Sequence, residues 1–135
     1  MTEVDEKCRQ VLVVDDEDDV RVLMKFILEP IGYSVHTAGD GEEALRLLRE
    51  QQVAVVLVDL LMPGMGGRKF LERIADLPGE ERPVTMVNSA RRLEEIRGEV
   101  EGLDVFDIVT KPFDIVEIER RVALACNEKL RRLGC

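Results

Sequence analysis

Residues 53–58 read VAVVLV, an unbroken apolar run that ends in a carboxylate at Asp59. A continuous β-branched run of this length suits a strand covered on both faces, which is the habit of central strands in parallel sheets flanked by helices. An ionisable residue at the end of such a strand marks the point where cover stops. The rest of the chain has to supply the neighbouring strands and the helices that bury both faces.

It does so by alternation. Residues 11–14 form a first short apolar run, and Val20, Leu23, Met24, Ile27 and Leu28 then recur at helical spacing over 18–29, with Pro30 and Gly32 as the stop. A strand is expected at 34–38. Asp40, three residues before Glu43, has the spacing of a carboxylate capping box and opens a helix to about residue 51. After the 53–58 strand comes the loop LLMPGMGG and a helix carrying Phe70, Leu71 and Ile74. A fourth strand is expected at 83–88, a weakly patterned helix within 90–102, and a fifth strand at 105–109. Asp114 and Glu117 repeat the capping spacing, Phe113 and Ile118 stand at hydrophobic-staple positions, and the last helix runs from 114 to about 132. Ile115, Ile118, Val122, Ala125 and Leu130 make its apolar stripe. Five strands alternating with five helices imply an α/β doubly wound sandwich, and right-handed crossovers leave the flavodoxin-like order 2-1-3-4-5 among the few candidate topologies.

With 135 residues the chain suffices for one such domain, at 9–125, with an N-terminal extension over 1–8 and the end of the last helix and a short tail over 126–135. No further output domain is expected within these residues. The formal charge of −9 disfavours a nucleic acid as direct partner. No apolar stretch is long enough for a membrane span, and the acidic start MTEVDEKC is unlike a secretion signal. Cys8, Cys126 and Cys135 are odd in number and lack metal-ligand spacing, so thiols in a reducing cytoplasm are expected.

In open parallel sheets the ligand site lies beyond the carboxyl ends of the strands. Here those ends carry Asp15 and Asp16 after strand one, Asp59 after strand three, Asn88 and Ser89 after strand four, and Thr110 and Lys111 after strand five. Crowded carboxylates are relieved by protonation or by a divalent cation, and an incomplete all-oxygen set suits Mg²⁺, or Mn²⁺ in its place. Lys111 offers a point charge to a phosphate oxygen, and Ser89 a hydroxyl donor to another. A carboxylate can itself act as the nucleophile and form an aspartyl phosphate.

The segments VLVVDDEDDV, VVLVDLLMPGMGG, VTMVNSA and FDIVTKPF, in this order over residues 9–125, resemble the receiver domains of bacterial two-component response regulators. The resemblance implies that Asp59 is the phosphoacceptor. It implies a metal site of Asp16, Asp59, the Leu61 backbone carbonyl and Asp15, the last acting mainly through metal-bound water. Ser89 is then the hydroxyl that moves toward the phosphoryl group, with Lys111 as its salt-bridge partner and a cis bond before Pro112. It further implies a sensor histidine kinase or histidine phosphotransfer protein as donor, and an unidentified downstream protein as target. It implies too that phosphorylation alters the face from strand four to helix five, and that helix four, strand five and helix five form a candidate homodimer surface. By the same resemblance the chain is expected to be a signalling phosphoacceptor that catalyses its own phosphorylation and slow dephosphorylation, and not an enzyme in the ordinary sense.

Three departures qualify that pattern. The family usually has an aromatic residue where this chain has Ile108; Phe106 stands two residues earlier, on the same face by strand alternation but displaced by roughly 6–7 Å. Gly66 replaces the frequent acid of the MPGMDG loop and removes a cap from the third helix. Gly102 is displaced from the usual Gly-Ala before strand five. The alternative function is therefore a receiver-like interaction module with weak or absent phosphorylation switching. A dehalogenase-like reading of Asp16-Glu17-Asp18 leaves Asp59 without a role, and the Gly and Glu spacing of a calcium-binding EF-hand is missing. Asp15 or Asp16 could simply cap the first helix. His36 reads as an edge-strand residue, and Arg91, Arg92 and Arg97 as a solvated helix face.

Overall fold

Strands β1 (Gln10–Val14), β2 (Ser34–Ala38), β3 (Val55–Asp59), β4 (Val84–Ser89) and β5 (Asp107–Thr110) form one parallel sheet in the order β2-β1-β3-β4-β5. Helices α1 (Asp18–Leu28), α2 (Gly41–Glu50), α3 (Gly67–Ala75), α4 (Leu93–Glu99) and α5 (Ile115–Arg132) connect and follow them, with a single 3-10 turn, Glu29–Ile31, after α1. This is the flavodoxin-like doubly wound arrangement expected from the alternation. The computed structural model describes residues 6–61, 64–112 and 114–134. The LLMPGMGG loop at Met62 and Pro63, the staple residue Phe113, residues 1–5 and Cys135 lie outside the described residues.

The pleat sorts the core into two layers. Val11, Val13, Val55, Leu57, Val84, Met86 and Val109 join Met24, Ile27 and Leu28 of α1 and Ile118, Val122, Ala125 and Cys126 of α5. Leu12, Val14, Val56, Val58 and Val87 face the other way, toward Ala44, Phe70, Ile74 and Ile96. All five residues of β3 are buried, which explains why the run could not alternate. Each fully buried Val or Leu contributes about 1.5–3 kcal/mol, an upper estimate for folding. Cys8, assigned to the extension by sequence, is 2% exposed in the α1/α5 layer.

Caps behave as expected, with one change. Asp40 accepts a hydrogen bond from Glu43 N at 2.8 Å. Asp114 caps α5 by accepting from Val116 N at 2.9 Å, but Glu117 bonds forward to Arg120 and Arg121 instead of closing a box. Gly32 ends the α1 segment at φ 106°, where a side chain would be strained. Ile115 is half-exposed, so the α5 stripe starts at Ile118.

The fifth strand starts later than expected. Asp107 enters the ladder opposite Met86 because Arg121 of α5 holds its carboxylate at 2.9 Å and donates to Ile108 O at 3.0 Å. Phe106 lies ahead of β5, its N–H on Thr85 O at 2.8 Å and its side chain 37% exposed. Val105 and Ile108 pack on the α2/α3/α4 layer, and Phe106 is not part of that packing. The proposed substitution of Phe106 for an aromatic at position 108 is therefore corrected: turn geometry, not strand alternation, sets its direction. His36, on edge strand β2, bonds Gln10 Oε1 at 2.9 Å through Nε2.

Candidate functional site

The site sits where β1 and β3 part company, the point at which the chain leaves β1 for β2 on one side and returns to β3 on the other. Val14 pairs with Val58, so Asp15 and Asp59 follow at the same level on adjacent strands. Alternation aims both with Val13 and Leu57 toward the α1/α5 side. Asp15 is fully buried and Asp59 is 5% exposed. Lys111, just past β5, reaches over β4 and places its ammonium 3.0 Å from Asp15 Oδ2 and 3.1 Å from Asp59 Oδ2. The peptide between Lys111 and Pro112 is cis, as the resemblance implied.

Backbone groups fix the carboxylates. Glu17 N donates to Asp15 Oδ1 at 3.0 Å, and Leu61 N donates to Asp59 Oδ1 at 2.9 Å. Arg21 of α1 donates to the Asp15 carbonyl and pairs with Asp18. The N-cap of α1 is Glu17, with no side-chain cap bond, so the capping role considered for Asp15 and Asp16 is not what these residues do.

Ligand oxygens of Asp15, Asp16, Glu17 and Asp59 all lie within 4.8 Å of one another. Glu17 is the addition that sequence reading missed; its place two residues past Asp15, across the turn into α1, was the available signal. Four carboxylates face a single ammonium, with Glu17 Oε1 a further 3.9 Å from Lys111 Nζ. Such an excess of hard, negatively charged oxygen in a partly open site fits a small divalent cation. Burial works against the charge on Lys111, but hydrogen bonds to Asp15 and Asp59 and the fields of both outweigh it and hold its pKa above the usual lysine value.

Ser89 is fully buried at the end of β4, but the pleat puts it with Val87 on the other side of the sheet from Asp59. Its hydroxyl oxygen accepts from Arg91 N at 3.2 Å, and its carbonyl accepts from Lys111 N at 2.7 Å. The structure thus joins Asp15, Asp16, Glu17, Asp59 and Lys111 directly, and keeps Ser89 one bond back. Leu61 presents its backbone N–H to Asp59 and an exposed side chain to solvent. Asn88, noted at the strand end but given no role, is 1% exposed beside Asp59. Arg91 and Arg92 are not a free basic patch: they pair with Glu99 and Glu95.

A doubly wound parallel sheet with a lysine-bridged acidic pair at its switch point is the architecture of a flavodoxin-like domain with a polar rim. Residues 11–123 match the model of the response regulator receiver domain. The probable transcriptional regulator ycf27 of Guillardia theta is 36% identical over 115 residues, covering 84% of this chain and 43% of that protein. The transcriptional regulatory protein SrrA of Staphylococcus aureus is 32% identical over 114 residues, covering 84% and 46% respectively. Among solved structures, the CheY-like response regulator receiver domain protein of Methanospirillum hungatei JF-1 superposes with TM-score 0.78 at 29% identity, over 90% of this chain and 97% of that one. The chain belongs to the response regulator receiver domain family. It spans less than half the length of the two curated relatives. No helix among the described residues is long and apolar enough to cross a membrane.

Proposed function

We propose that Asp59 is the phosphoacceptor of a two-component response regulator, receiving its phosphoryl group from a histidine kinase or histidine phosphotransfer protein. The observation that carries this reading is the Lys111 ammonium bridging the buried Asp59 and Asp15 at the open rim of the sheet. Leu61 N on Oδ1 and Lys111 Nζ on Oδ2 orient the Asp59 carboxylate that acts as the nucleophile. Lys111 would follow the charge from the carboxylate to the phosphoryl oxygens, and Ser89 would turn its hydroxyl toward them. Asp15, Asp16 and Asp59, with the Leu61 carbonyl, would hold Mg²⁺ or Mn²⁺, and Glu17 stands within reach of the same position. The cation would neutralise charge on the transferring group. The domain assists transfer to itself and later hydrolysis of the acyl phosphate, without a separate substrate. Phosphorylation then shifts the face from β4 to α5 between two conformations that differ in affinity for a downstream protein.

Incubation with Mg²⁺ and acetyl phosphate, followed by intact mass, tests the assignment. One added phosphoryl group is expected, and none on Asp59→Asn. Persistence of the mass gain in Asp59→Asn would place the acceptor elsewhere. The second reading, a module that binds its partner constitutively, is favoured by one observation: Ile108 is packed into the α2/α3/α4 layer with no aromatic ring to rotate. Amide exchange over 90–109 that does not respond to phosphorylation would select it.

A further inference from the structure

Among the described residues, three buried side-chain polar atoms lack a hydrogen-bond partner, and the sole oxygen is Asn88 Oδ1. Asn88 pairs in register with Asp59 on one side and Val109 on the other. Val84 and Met86 of β4 face the α1/α5 layer, and Asn88 continues that row; Asp59 continues the row of Leu57, and Lys111 that of Val109. The three side chains therefore leave the sheet on the same side. Strand spacing is about 4.8 Å, so a lysine rooted beyond β5 can reach β3 only by crossing β4. Its ammonium does reach Asp59 on β3, and it also bonds Asp15 beyond β1. The Lys111 stem thus passes over Asn88. An apolar residue would fill this position without burying an unpartnered carbonyl, so the asparagine costs stability without structural return. That is a mark of a functional position.

We infer that Asn88 is a positioning residue for phosphoryl transfer, whose amide oxygen accepts a hydrogen bond from the Lys111 ammonium as that ammonium leaves the Asp59 carboxylate. The inference rests on the reading of Asp59 as phosphoacceptor. In the transfer, the donor's bond to phosphorus breaks with its electron pair going to the leaving group, which takes a proton from solvent. A bond forms between an Asp59 carboxylate oxygen and phosphorus, and the charge moves outward onto the phosphoryl oxygens. Lys111 spends two of its three N–H bonds on Asp15 and Asp59 before this step and loses the second as a charged acceptor during it. A fixed neutral acceptor beneath the stem keeps the ammonium in the site while it re-aims, without competing as a charge for the phosphoryl group.

Asn88→Val and Asn88→Thr, matched in shape but differing by a hydroxyl, test this in the full chain. Phosphoryl gain from acetyl phosphate is followed by intact mass across a Mg²⁺ titration, and thermal midpoints are measured without donor. The Val variant should melt at or above the wild type. It should gain the phosphoryl group about tenfold more slowly at saturating donor, the worth of one hydrogen bond to a charged group. Its half-saturating Mg²⁺ should be unchanged, and the Thr variant should recover most of the rate. A Val variant at the wild-type rate, equal slowing by Val and Thr, or a Val variant that melts well below the wild type would each overturn the inference. Wild-type protein that gains no phosphoryl group would instead remove the reading of Asp59 on which it stands.

Discussion

Replacing Lys111 by Met tests the balance of charge at the rim. The ammonium makes hydrogen bonds of 3.0 and 3.1 Å to two buried carboxylates. Removing one partner of a buried ion pair costs about 3–5 kcal/mol, because the other partner is left uncompensated. The rim opens to solvent on the side of Asp16 and Glu17, both exposed, so the lower end of that range, about 3 kcal/mol, is expected. Unfolding entropy near 2.1 cal/mol/K per residue gives roughly 0.28 kcal/mol/K for this chain, so the midpoint should fall by about 11 °C. The measurement is thermal unfolding by circular dichroism in the presence of a chelator. Millimolar Mg²⁺ should narrow the difference from the wild type, since a cation placed among the same carboxylates does part of what the ammonium did. In an Asp59→Asn background the Lys111→Met change should cost markedly less, because one of the two stranded charges is gone. A fall below about 4 °C in chelator, or a cost undiminished in the Asp59→Asn background, would refute the claim that Lys111 and Asp59 are energetically coupled.

The α3 entrance separates two adjacent glycines. A Cβ on Gly67 would lie 2.5 Å from Leu60 Cα, so Gly67→Ala should cost about 1–3 kcal/mol in urea unfolding, whereas Gly66 faces open space at the uncapped N-cap and Gly66→Asp should gain about 0.3 kcal/mol. At alkaline pH, burial first, then the neighbouring Cys126 thiolate, pushes Tyr33 up to about 12, and burial, then Cys8, pushes Cys126 up to about 12. Both groups hold their protons more tightly when folded, so their contribution is complete below the ordinary values of 9.0 and 10.0 and is lost as pH rises toward about 12. Urea midpoints should fall across that window, Cys126→Ala should flatten the drop, and tyrosinate absorbance reports Tyr33 alone because the chain has one tyrosine and no tryptophan.

The parts of this fold most legible in sequence are those set by local rules. The apolar run ending at Asp59, the Asp40 cap and the Pro30–Gly32 stop each depend on neighbours in sequence, and each stands as read. What escaped depends on contacts distant in sequence. Residues 105–109 read as the fifth strand, yet β5 begins only at Asp107, whose carboxylate is held by Arg121, fourteen residues later. Phe106 reads as a strand residue sharing the face of Ile108, yet the late start of β5 leaves it outside. At the site, the acid cluster and Lys111 were legible because strand ends in a parallel sheet must converge. Glu17 was not, because joining the cluster depends on how the turn into α1 folds back.

Strand parity explains why the rim is built from two sides. Asp15, Asp59, Asn88 and Lys111 continue rows that face α1 and α5, whereas Ser89 continues the row of Val87, on the side of the layer that includes Ile96 of α4 and against which Ile108 packs. A hydroxyl that turns toward Asp59 must release the Arg91 N–H that now bonds it. Arg91 is itself paired with Glu99 at the far end of α4, and Arg68 of α3 bonds the Glu99 and Glu101 carbonyls. The polar connection from the rim to α4 therefore runs through the residue two past Ser89. It involves no ring at position 108, and an isoleucine there leaves it intact.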